Sequence, residues 1–142
     1  MSTASHEARG SSFLLRVHVW LVAAVMPLLV DMLSLPMLVR LLTPPAWWRP
    51  YRRASVRQML DAVQRRLARP INMRRRACLR RSLVLYHFLR LAGRQASIEF
   101  GVFSPSAETK RMHGHCWVSM DGQAVTDERN LPPAIVYHGG GA

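Results

Sequence analysis

The hydrophobic pattern of this chain changes period once, at Gly93, and that change limits the class of fold open to it. Before Gly93 the apolar residues recur at helical spacing or run together; after it they alternate two by two, as strands do. Residues 54–68 carry Val56, Met59, Leu60, Val63 and Leu67 at spacings of three and four, and Pro70 ends that helix. From about Cys78 to Ala92 most of the circumference is apolar, so a helix buried on more than one side is expected. Gly93 supplies its C-terminal stop. Ala96–Phe103 then alternates as a first strand and His113–Met120 as a second. Asp121-Gly122 is a hairpin turn, and Gln123–Thr126 a third strand. With 142 residues there is room for one core. The pattern therefore predicts an α+β fold, with N-terminal helices ahead of a helix packed on a small antiparallel sheet.

The N-terminal part divides further. Residues 1–12 read as a loose tail, rich in Ser, Thr and Gly. Val19–Val39 is apolar apart from Asp31 and Ser34, and is about the length that crosses a bilayer. Asp31 would fall in mid-span, where a charge is costly. Pro27 and Pro36 predict two short helices in place of one span. No small-residue cleavage site of the A-x-A type follows, so a secretory signal fits poorly. Helices for the core or for a partner rank first, a membrane-associated segment second and a transmembrane helix third. Thr43-Pro44-Pro45 breaks the helical run, and Trp47 and Trp48 then cap the core or sit at an interface. From Leu131 two prolines and Gly139-Gly140-Gly141 predict a flexible tail. The expected division is an apolar helical segment at 1–50, a catalytic core at 51–130 and a tail at 131–142.

Charge narrows the partners. Twenty Lys+Arg against eight Asp+Glu give a formal +12, and Lys110 is the one lysine. Such a balance favours an acidic peptide, a nucleic acid or an anionic membrane surface. The arginine runs at 52–53, 65–66, 74–76 and 80–81 are spread over helices and linkers without an aromatic-interleaved recognition signature, so no nucleic-acid partner is expected. A non-enzymatic basic protein on nucleic acid or anionic membrane is the alternative to an enzyme. Two cysteines make no disulfide framework, and a reducing, cytoplasmic setting fits them. No Gly-rich phosphate loop appears, so no nucleotide cofactor is expected. A zinc site from Cys78, His113, His115 and Cys116 lacks a close-spaced ligand pair facing one way, other than the two histidines.

The chemistry concentrates in three residue types. Cys78 stands at a helix start, where unpaired backbone N–H groups point at the sulfur, favour the thiolate and are placed to hold an oxyanion. The arginines around it add positive potential. His115 is the candidate base and Asp127, on the next strand of the hairpin, the candidate orienting carboxylate. His113 competes with His115, because residues two apart share a strand face. Cys116 points the other way and reads as core. Taken singly each residue has an ordinary structural explanation; their joint placement points to a thiol enzyme.

Cys78-Leu79-Arg80-Arg81-Ser82-Leu83, Leu89-Arg90-Leu91-Ala92-Gly93, Ile98-Glu99-Phe100-Gly101-Val102, His115-Cys116-Trp117-Val118 and Asp121-Gly122 together resemble the transglutaminase-like cysteine peptidases of lasso-peptide maturation. These are the B proteins of those pathways. The resemblance covers roughly residues 70–128 and is to the split form, in which a separate small protein recognises the leader peptide. Where the family has His-Ala-Trp-Val, this chain has Cys116 in place of the alanine, on the face opposite the base. The resemblance implies a transglutaminase/papain-like core with Cys78 as nucleophile, His115 as base and Asp127 as orienting acid. Asp121 is more suited to shaping the turn. It also implies removal of the leader from a ribosomally made precursor, ahead of ring closure by a partner cyclase that uses ATP.

Overall fold

The computed structural model describes residues 3–68, 77–103, 113–125 and 134–139; for 3–12, 103, 113 and 134–138 it describes the backbone only. Among the described residues four helices come first: α1 (Thr3–Met32), α2 (Leu35–Leu42), α3 (Val56–Leu67) and α4 (Ala77–Leu91). Four strands follow: β1 (Ala96–Phe103), β2 (His113–Met120), β3 (Gln123–Ala124) and β4 (Ala134–Gly139). They form one antiparallel sheet in the order β3-β2-β1-β4. The fold is α+β, as the change of period predicts.

α4 is the centre of the molecule. It touches α1, α2 and α3 as well as β1 and β2. Leu83, Val84, Leu85, Tyr86, Phe88, Leu89 and Leu91 are all fully buried, each contributing roughly 1.5–3 kcal/mol by leaving water. The helix ends where Gly93 adopts φ 76°. Its amide donates to the Arg90 carbonyl and that of Arg94 to the Leu89 carbonyl, both at 2.9 Å, which satisfies carbonyls the helix leaves open. At the start of α3, Ser55 and Gln58 cap each other reciprocally, at 3.2 and 2.9 Å. The β2–β3 hairpin turns through Asp121 and Gly122, both at positive φ, as a tight two-residue turn requires.

Three expectations are corrected. α1 runs unbroken through Pro27 instead of stopping there. Proline costs a mid-helix about 3 kcal/mol, but Met26 and Val30 on either side of it are buried and hold the backbone helical. The break comes at Leu33-Ser34, and Pro36 sits in the first turn of α2, where its missing N–H costs nothing. Residues 3–12 continue α1 rather than forming a tail; helix propagates from the apolar section once it is nucleated. Within the expected C-terminal tail, 134–139 is β4, because Ile135, Val136 and Tyr137 suit an edge strand and β1 offers an open edge to pair with. Of the two places expected for Trp47 and Trp48, their exposure of 83% and 45% rules out the cap on the core.

α1 and α2 share their core with α4 and the sheet. A polar seam joins them. His18 Nδ1 and the Tyr51 hydroxyl bond at 2.9 Å, and His87 Nδ1 donates to the Leu42 carbonyl at 2.7 Å. The Thr43 hydroxyl donates to the Val39 carbonyl at 2.6 Å and accepts from the Tyr86 hydroxyl at 2.7 Å. His18, His87 and Tyr51 pack around the Phe88 ring.

Burial lowers the pKa of both His18 and His87 below the usual 6.5. The unfolded chain then takes up protons near 6.5 that the folded chain refuses, so stability rises with pH there and is lost as pH falls. Urea denaturation is therefore expected to show a falling midpoint from neutral pH to about pH 5, flattened in His18→Gln/His87→Gln.

Candidate active site

Cys78 is the second residue of α4 and is half-buried. Ser82 lies one turn further along the same side of the helix. Its hydroxyl is buried and donates to the Cys116 carbonyl at 2.8 Å. This bond ties the start of α4 to β2, beside His115. The chain between α3 and α4, residues 69–76, lies outside the described residues.

On β2, alternation separates two functions. Cys116 and Val118 enter the core against α4, whereas His115 and Trp117 share the opposite face. The imidazole of half-buried His115 stacks on the Trp117 indole, with centroids 6.3 Å apart and planes 21° from parallel. Trp117 is only 6% exposed, so it is a fixed shelf that limits the ring positions open to His115. Gly114 passes under the Phe100 ring: a Cβ there would stand 2.7 Å from Phe100 Cζ. A side chain at position 114 would therefore have to displace the Phe100 ring.

The two thiols are different chemical groups. Burial pushes the Cys116 thiol up to about 12; the hydrogen bond with Ser82 works against this, and the nearby Cys78 adds to it. Cys116 therefore stays protonated and inert at working pH. Cys78 is left as the accessible sulfur, with half-buried Arg80 and Arg81 on the next turn of its helix.

Cys78 and His115 thus lie on adjoining elements joined through the Ser82–Cys116 bond. The backbone of His113, in β2, pairs with that of Phe103 in β1, and the His113 side chain lies outside the description. Asp127 lies outside the described residues. Asp121, at φ 54°, is an exposed turn residue. Among the described residues, no group of three or more His, Cys, Asp or Glu could hold a metal ion. Sequence reasoning overlooked Ser82 and Trp117. Their signal was present as spacing: Ser82 follows Cys78 by one helical turn, and Trp117 follows His115 by one strand period.

Two outcomes follow from this geometry. Ser82→Ala leaves a buried carbonyl short of a donor and should cost about 1–2 kcal/mol in chemical denaturation. Iodoacetamide applied to the native protein in mildly alkaline buffer should label Cys78 and spare Cys116, as read by peptide mass spectrometry. Cys78→Ala should then remove the native labelling.

A family model described as the transglutaminase-like superfamily matches residues 16–134 of the chain. No curated protein and no solved structure matches it significantly.

Proposed function

The chain belongs to the transglutaminase-like superfamily, a cysteine peptidase-type fold, and from that membership we propose that it is a peptidase removing the leader from a ribosomally synthesised lasso-peptide precursor. The observation that carries the reading is the bond from Ser82 to Cys116, which brings the Cys78 end of the most buried helix beside the strand of His115. The leader-peptidase role also draws on the sequence resemblance over residues 70–128.

In this mechanism the Cys78 thiol gives its proton to His115, and the thiolate attacks the scissile carbonyl. Backbone N–H groups at the start of α4 stabilise the tetrahedral oxyanion. The C–N bond breaks, the imidazolium protonates the departing amine, and the leader remains as a thioester on Cys78. Water, deprotonated by His115, then hydrolyses the thioester, releasing the leader as an acid and restoring the thiol. Catalytic contacts of this kind often tighten only when substrate is bound. Asp127 orients the ring and supports its charge.

The partners proposed are the precursor's leader region, a separate leader-binding protein and a cyclase that spends ATP to close the freed amine onto a side-chain carboxylate. The setting proposed is cytoplasmic. No nucleotide is assigned to this chain.

Incubating precursor and leader-binding protein with wild type and Cys78→Ala, with mass spectrometry of the products, tests the reading. Cys78→Ala should lose at least about 10³-fold in rate. His115→Ala should lose roughly 10²–10⁴-fold, and His113→Ala much less. Unchanged cleavage by Cys78→Ala removes the thiol from the mechanism. Equal losses from both histidine variants remove the assignment of the base.

A further inference from the structure

α1 is buried along one side only. Leu15, Val19, Ala23, Met26 and Val30 enter the core. Phe13, Leu14, Val17, Leu21, Leu28 and Met32 stand on the opposite side, between 40% and 72% exposed. Helical spacing joins them into one stripe from Phe13 to Met32, roughly 30 Å long. An apolar stripe of that size, with exposed Asp31 on its border, marks an interaction surface, where scattered apolar residues would not.

One border of the stripe is strongly basic. Arg16 and Trp20 of α1 and Ala62, Arg65 and Arg66 of α3 line an open pocket of about 240 Å³. The Arg66 guanidinium lies over the Trp20 indole, 5.4 Å from its centroid. Trp20 is itself 52% exposed, so its ring spans from the arginine pocket to the apolar stripe. Tryptophan in that position is suited to a boundary between hydrocarbon and headgroups.

By length and composition the Phe13–Met32 segment could cross a bilayer. Its packing says otherwise. α3 lies against α1 and carries Arg57 and Arg65 exposed, and a spanning α1 would take these charges into hydrocarbon. The stripe is also convex, the outer side of a helix, and so suits a pliable surface better than a groove-seeking helix of another protein. The chain's formal charge of +12 attracts it to anionic surfaces at a distance.

We propose that the exposed face of α1 and the Arg16–Arg65–Arg66 pocket dock this protein on an anionic lipid bilayer. α1 lies in the plane of the interface, with its apolar stripe at the acyl boundary and lipid phosphate groups in the pocket. The surface is separate from the Cys78 site, and the inference does not rest on the peptidase reading.

Flotation of the full chain with vesicles tests it, comparing pure phosphatidylcholine with an equal mixture of phosphatidylcholine and phosphatidylglycerol. The mixed vesicles should retain the protein at least about tenfold better, with retention falling as salt is raised. Leu21→Asp/Leu28→Asp should lose at least about tenfold in retention while keeping the wild-type circular dichroism and any leader cleavage. Met32→Asp, at the end of α1, serves in its place if the double variant loses helical signal. Arg16→Gln/Arg65→Gln should bind more weakly and with a shallower salt dependence. Equal retention by both vesicle types, or full retention of the Asp variants, overturns the proposal. So does an absence of retention; light scattering would then show whether the stripe pairs two copies of the chain.

Discussion

The rest of the molecule depends on covering α4 from two sides. Seven of its large side chains have no exposure, and no single neighbour could hide them all. α1, α2 and α3 close one side and β1 and β2 the other. The helix is thereby fixed in position and rotation before any site is considered. Cys78 stands at the start of this constrained element, and the Ser82–Cys116 bond then sets the position of that start along β2. A reactive group on a rigid, doubly supported helix is placed more accurately than one on a loop.

Burial also sorts residues of one type into different tasks. Cys116 is sealed in the core with its thiol pushed up to about 12, while Cys78 remains half-open. His18 and His87 are held neutral inside the helical half, where they tie α1 and α4 to Tyr51 and Leu42. His115 keeps partial exposure on the Trp117 shelf. Depth separates the two thiols; the three histidines are all half-buried and are told apart by their partners.

Much of the architecture was legible because its signals are local. The bounds of β1 and β2, the Asp121-Gly122 turn and the Gly93 stop depend on period and backbone conformation, which a few neighbouring residues decide. Two of the misreadings involve tertiary contacts. Pro27 reads locally as a breaker, yet buried Met26 and Val30 keep α1 intact. Residues 134–139 read locally as a tail, yet pairing with β1 makes them a strand. Of the site, the candidate residue types were visible in order along the chain. The supporting Ser82 and Trp117 were not recognised, because their roles appear only when α4 lies against β2.

By itself the sequence determined the α+β class, the helix and strand that carry Cys78 and His115, and the basic, apolar-faced character of the N-terminal half. These follow from periodicity and composition, which any conformation of the chain retains. Tertiary structure alone decided which side of α1 is core and which is surface, which thiol is sealed, and which part of β2 meets the start of α4. Those outcomes come from burial shared among residues far apart in sequence, and burial exists only once the helices and the sheet have closed on one another.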